Sequence, residues 1–138
     1  MLTLEILNSF SQGTLSGHLG MKFTELTDDY LVATMPVDHR TVQPMGFLHG
    51  GASVALAETL GSVASLTKLE NLDEQSIVGV EINANHLKSA STGIVTGKCV
   101  PLKIGKTLHV WEIKITNEAG ELLCVSRITT AVIKKRKI

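Results

Sequence analysis

From Gln43 to Glu58 the chain reads Gln-Pro-Met-Gly-Phe-Leu-His-Gly-Gly-Ala-Ser-Val-Ala-Leu-Ala-Glu: a polar entry, a glycine pair and a lone carboxylate. A helix N-terminus presents unbonded backbone N–H groups and a partial positive charge. Gly50 and Gly51 keep such a mouth clear of side chains, so a carbonyl oxygen can approach the amides. Glu58 is the only Asp, Glu, Lys or Arg between Arg40 and Lys68. A carboxylate among small apolar residues needs a reason, and the two readings are a structural group capping something buried or a reacting group.

Spacing bears on the choice. Gly50 and Glu58 are eight positions apart, about 12 Å of rise along one helix, too far for a glutamate to reach a group held at its own helix mouth. Two such helices running antiparallel across a two-fold axis would bring Glu58 of one chain to Gly50 of the other. The pattern therefore predicts a homodimer with two identical sites, each built from both chains.

Around this segment the chain reads as α+β. Leu4, Leu7 and Phe10 at helical spacing predict a helix over 3–12, with Gly13 as its stop. Weak alternation predicts a strand over 18–27, a turn at Asp28 and Asp29, and a second strand over 30–36 ended by Pro36. A polar loop over 38–48 leads into the helix, predicted to run from 50 to 68. Val54, Ala55, Leu56, Ala57, Leu60, Val63, Ala64 and Leu66 surround that helix, which predicts burial on all sides under a sheet that curls over it. Four antiparallel strands are expected after it, over 76–86, 93–100, 107–116 and 122–133, the last two joined by a hairpin turn at Asn117 to Gly120. No repeat or linker interrupts the chain, so 1–138 reads as one domain.

Composition excludes several classes. The charges balance at 13 Lys+Arg against 13 Asp+Glu, which gives no footprint for nucleic acid or an anionic membrane surface. The basic ending 134–137 reads as a frayed, solvated tail. No apolar run reaches the roughly 18–20 residues that span a bilayer, and the N-terminus has no basic region before its apolar pattern. Cys99 and Cys124 stand singly in apolar or alternating runs and read as small buried side chains, which makes the cytoplasm the expected compartment. The five histidines show no ligand spacing, so neither a metal nor another cofactor is expected. His109 alternates with Trp111 on an apolar face and reads as a core histidine.

The string Leu48-His-Gly-Gly-Ala-Ser-Val-Ala-Leu-Ala-Glu-Thr59, with Thr34 to Thr41 before it and Gly79 to His86 after it, resembles the hotdog-fold acyl-CoA thioesterases of the PaaI-like branch. Within that branch it looks most like the bacterial aryl thioesterases that hydrolyse 1,4-dihydroxy-2-naphthoyl-CoA in menaquinone synthesis. A sister group clears mischarged aryl carrier protein in siderophore synthesis. The resemblance covers essentially the whole chain. It implies a hotdog fold, an acyl-CoA or acyl carrier protein substrate with an aromatic acyl group, and homodimers paired into a homotetramer.

It also implies roles for individual residues. Glu58 matches the catalytic carboxylate, as nucleophile or as general base, and Gly50 the backbone N–H that binds the thioester oxygen, with Gly51 beside it. Gln43 and His49 match side chains that hold or polarise the thioester and position water. Ser62 matches a hydroxyl near the reacting centre, and His86 a strand residue near the acyl or pantetheine pocket. Each has a plainer reading: His49 as a helix cap, Gln43 as a loop residue, Ser62 as a small packing residue. Lys88, Lys103 and Lys106 are candidate partners for the CoA phosphates. The chain departs from the resemblance at Met45, in the loop 67–75 and in the basic ending. Two other functions fit the same residues: an acyl-thioester hydratase or dehydratase, and a non-catalytic acyl-CoA-binding module.

Overall fold

The computed structural model describes residues 1–136 of the 138. Its elements in chain order are α1 (Leu4–Ser9), α2 (Leu15–His18), β1 (Lys22–Leu26), β2 (Leu31–Pro36), α3 (Gly50–Leu66), β3 (Gln75–His86), β4 (Ile94–Ile104), β5 (Leu108–Thr116) and β6 (Leu122–Lys134). The six strands form one antiparallel sheet in the order β1-β2-β4-β5-β6-β3, and α3 packs against it. This is the α+β arrangement of one sheet around one long helix that the patterning predicts.

Helix and sheet meet closely because the contact is built from small residues. A Cβ on Gly61 would lie 2.3 Å from Cγ2 of Ile128, and one on Gly97 would lie 2.6 Å from Cδ1 of Leu60. Leu56, Leu60, Ile113, Ile115, Ile128 and Trp111 fill the space between them and are almost wholly buried. One polar chain crosses this core: Trp111 Nε1 donates to Ser65 Oγ at 2.7 Å, and Ser65 Oγ pairs with Thr130 Oγ1 at 2.7 Å. That satisfies the indole N–H, which a buried tryptophan otherwise leaves unpaired.

Four expectations need correction. Burial of α3 is one-sided: Ala52, Ser53, Leu56, Ala57, Leu60, Gly61, Ala64 and Ser65 are buried, whereas Val54, Ala55, Glu58, Thr59, Ser62 and Val63 are only half-buried. The helix looked apolar all round because its second face carries small apolar residues too. The strand predicted from 18 begins at Lys22, since Thr14 caps a short helical turn, Leu15–His18, and Gly20 then turns the chain with φ of 74°. β4 does not stop at Val100 but runs to Ile104; it has passed its last β2 partner at Cys99, and a bulge between Pro101 and Lys103 absorbs the proline. The basic ending is tied down at its start: Lys134 pairs with Gln75, and the Lys135 N–H donates to the Glu74 carbonyl at 2.8 Å. Residue 137 of that run lies outside the described residues.

β3 occupies one edge of the sheet and, among the described residues, pairs only with β6, so its other side carries no described strand over twelve residues. Val78 and Val80 are 40% and 60% exposed there. A long apolar edge of this kind invites pairing with another chain.

Candidate active site

Chain direction and capping set the mouth of α3. The loop before it turns at Gly46, Leu48 donates its N–H to the Ala90 carbonyl at 2.7 Å, and the His49 N–H donates to the Thr41 carbonyl at 2.8 Å. His49 is then the N-cap: its Nδ1 accepts the Gly51 N–H at 2.7 Å. The capping geometry expected as the plainer reading of His49 is therefore present, and it commits the Gly51 amide. The Gly50 N–H has no hydrogen-bond partner among the described residues. Of the two glycines, Gly50 is the one that keeps a donor for a ligand.

The His86 ring lies over this mouth. A Cβ on Gly50 would meet His86 Nε2 at 3.0 Å, so the absence of a side chain there makes room for the ring. Gln43, Gly50 and His86 line one cavity of about 340 Å³, together with Ser53, Lys88 and Ser89. The Gln43 backbone N–H donates to the Phe47 carbonyl at 2.8 Å and its Oε1 accepts from the Met45 N–H, and its amide NH₂ has no partner among the described residues. Lys88 at the cavity pairs with Glu121, and that ammonium, with Asn117 second, holds the Glu121 carboxyl below its usual range. Of the three lysines considered for the CoA phosphates, only Lys88 lines this cavity.

Glu58 and Ser62 are not among its walls. They lie two and three turns down α3, on the half-buried face. The Glu58 carboxylate abuts β3: a Cβ on Gly79 would be 2.5 Å from its Oε1. Neither Glu58 nor Ser62 has a side-chain hydrogen bond or ion pair among the described residues. One protomer thus holds two half-sites, a donor-lined cavity at Gly50 and an unpartnered carboxylate at Glu58, both bordering the open edge strand.

Sequence reasoning missed two positions. Ser53 is nearly fully buried and lines the cavity; its signal was the spacing of three from Gly50, which puts both on one helix face. Gly79 had no local signal, because its role rests on a side chain of the preceding helix, Glu58. Cys99 and Cys124 are free and buried, and burial pushes both thiols up from their ordinary values, which agrees with a packing role. None of the described helices is long and apolar enough to cross a membrane.

Comparison with known proteins supplies the context. The family profile described as Thioesterase superfamily matches residues 45–124, which span the helix mouth, Glu58 and His86. The chain is 53% identical over 132 residues to the 1,4-dihydroxy-2-naphthoyl-CoA hydrolase of Escherichia coli K12, covering 96% of each. It is 54% identical over 132 residues to the proofreading thioesterase EntH of Cronobacter turicensis, covering 96% of this chain and 95% of that one. A crystal structure of a thioesterase from Haemophilus influenzae superposes with a TM-score of 0.93 at 47% identity, over 97% of this chain and 92% of that one.

Proposed function

The chain belongs to the thioesterase superfamily, and from that premise we propose that it hydrolyses an aromatic acyl-CoA at a site shared by two protomers. The observation that carries the shared site is the pair of half-sites on one edge strand. Gly50 lies under His86 at one end of β3, and Glu58 lies against Gly79 near the other. A two-fold axis near Ile82 and Asn83 would pair β3 with its copy so that Gly79 of one protomer faces His86 of the other. Glu58 then meets the Gly50 mouth across the interface, which the 12 Å rise forbids within one helix. The half-buried face of α3 is the surface that such pairing covers. The whole chain, 1–138, acts as one domain.

In this arrangement the thioester oxygen accepts the Gly50 N–H, with the Gln43 NH₂ beside it, so that negative charge developing on oxygen is met by fixed donors. One such donor is worth about 10²–10³ in rate. His86 borders the acyl or pantetheine group, and His49 and Gly51 hold the mouth in shape. Glu58 takes a proton from water as the water oxygen bonds to the carbonyl carbon, or attacks that carbon itself to give an anhydride that water cleaves. Collapse of the tetrahedral adduct breaks the carbon–sulfur bond, and the proton passes to the thiolate to give free acid and CoA. On this reading Ser62, one turn beyond Glu58, holds that water. No metal or cofactor enters the scheme.

An aromatic acyl group is supported by the relative named for a naphthoyl-CoA. Lys88 at the cavity favours a phosphate-bearing carrier, which CoA and a carrier protein both are. Beyond the dimer, Val78 and Leu108 flank Ala131 on the outer sheet face, and all this exposed apolar surface suits dimers pairing into a tetramer. Hydrolysis of benzoyl-, 1,4-dihydroxy-2-naphthoyl- and hexanoyl-CoA, with sedimentation of the same sample, tests the reading. Turnover ranked in favour of the aromatic thioesters by a dimer or tetramer is expected. Activity of a stable monomer would overturn the shared site, and preference for hexanoyl-CoA the aromatic assignment.

A further inference from the structure

A serine or threonine on a helix usually bonds the carbonyl one turn back or a neighbouring group. On α3, Thr59 Oγ1 donates to the Ala55 carbonyl at 2.7 Å, and Ser65 is held by Trp111 and Thr130. Ser53 does neither. It is only 3% exposed, yet its hydroxyl has no hydrogen-bond partner among the described residues. The carbonyl one turn back, that of His49, already accepts the N–H groups of Ala52 at 2.9 Å and Ser53 at 3.2 Å. Nor is the hydroxyl sealed in the core. Among the described buried side chains, His109 Nδ1 is the one polar atom shut away from solvent without a partner, so Ser53 Oγ keeps contact with open space. That space is the cavity of about 340 Å³ at the helix mouth, of which Ser53 forms a wall.

Position gives the hydroxyl a direction. Helical side chains lean toward the N-terminus, so Ser53 covers the turn that begins at Gly50. Positions three apart on a helix lie about 5–6 Å from each other at Cβ, and two donors can share an oxygen placed about 2.8 Å from each. Gly50 has no side chain to stand between that hydroxyl and its own free N–H. The Gln43 NH₂ and the Lys88 ammonium bring further donors to the same cavity. Walls so rich in donors call for an acceptor from the ligand.

We propose that Ser53 is a further catalytic residue, whose hydroxyl donates to the thioester carbonyl oxygen beside the Gly50 N–H. The inference rests on the acyl-thioester hydrolysis proposed above and adds a donor to it. As the carbonyl carbon becomes tetrahedral, negative charge gathers on that oxygen and the hydrogen bond from Ser53 strengthens. The hydroxyl hydrogen stays on serine throughout, so no proton changes hands at this residue. No base is bonded to Ser53 Oγ among the described residues, which assigns it to holding oxygen and not to attack on carbon. Its burial fixes the donor in place before the substrate arrives.

The test compares the full chain with its Ser53→Ala variant by two readouts. One is hydrolysis of benzoyl-CoA; the other is the carbonyl stretch of bound phenacyl-CoA, an aryl ketone that is not hydrolysed. Alanine removes a hydroxyl that has no protein partner and favours the helix, so Tm should hold or rise. Expected are a fall of about 10² in kcat with KM little changed, and a carbonyl band moved to higher wavenumber by the loss of a donor. Unchanged kcat would make Ser53 a packing residue and overturn the proposal. So would a rise in KM alone, or a kcat loss with an unmoved band, since neither is the signature of a donor to the reacting oxygen. Absence of turnover by wild type would fell the proposed reaction by itself, and the band of the bound ketone would still decide the Ser53 contact. Failure of the ketone to bind would overturn both.

Discussion

The two ends of α3 treat polar groups in opposite ways. At the N-terminal end the Gly50 N–H, the Gln43 NH₂ and, two turns on, the Glu58 carboxylate have no partner among the described residues of the protomer. Toward the C-terminal end Ser65 accepts from Trp111 and pairs with Thr130, and Thr67 Oγ1 donates to the Ala64 carbonyl at 2.6 Å. Groups already bonded stabilise the fold and offer nothing to a substrate. Groups held in place without partners add little to stability and are available to a reacting carbonyl. The difference separates a region whose substitutions should change rate from one whose substitutions should change stability.

The sharpest way to break that separation is Glu58→Ala. A carboxylate with no partner in the protomer contributes little to the fold, so kcat should fall by roughly 10²–10⁴ while Tm stays within a degree or two. Steady-state hydrolysis and a thermal melt on one preparation read both. A large drop in Tm would mean that Glu58 is structural after all.

Gly79→Ala asks a finer question of the same end. The new methyl would sit 2.5 Å from Glu58 Oε1, the far end of a flexible side chain, so the carboxylate turns away and the strand stays. Misplacing a reacting group by an ångström can cost about 10² in rate, and a loss of that order in kcat with an unchanged melt is expected. Full activity in this variant would show that the position of the carboxylate against β3 is irrelevant to turnover.

At the other end, Ser65→Ala should act in reverse. It strands the Trp111 indole N–H and the Thr130 hydroxyl in the core, and a buried unsatisfied group costs about 1–3 kcal/mol. Urea unfolding should register that loss, with kcat per folded enzyme unchanged. If kcat fell as steeply as stability, the two ends would be coupled through the helix and not separable.

How much of this could be read beforehand follows the same division. The helix mouth is a local feature: glycines, cap and carboxylate lie within sixteen residues, so sequence spacing exposed both half-sites and the distance that keeps them apart. The strands of the second half alternate plainly and were legible to within a few residues, except where Pro101 concealed the run to Ile104. What stayed hidden was tertiary. Nothing near Gly79 marks it as the neighbour of Glu58, and the one-sided burial of α3 is invisible when both faces carry alanine and valine. His109 was read as a satisfied core residue; it is buried as expected, but Nδ1 is unpaired: Thr130 pairs with Ser65, and Ser65 accepts from Trp111.

His109 therefore gives the smallest and most specific expectation. Burial, with Lys68 adding to it, lowers its affinity for a proton below the ordinary histidine value of 6.5, although the Gly105 carbonyl pulls the other way. On acidification from neutral pH the unfolded chain takes up this proton before the folded one does. Stability consequently declines as pH falls through the unfolded value, and the decline continues until the folded ring also protonates. His109→Phe keeps an aromatic ring against Trp111 and removes the titration, so its Tm should fall less than that of wild type between pH 7 and pH 5. Parallel melting curves for the two proteins across that range would show that burial does not lower the proton affinity of this imidazole.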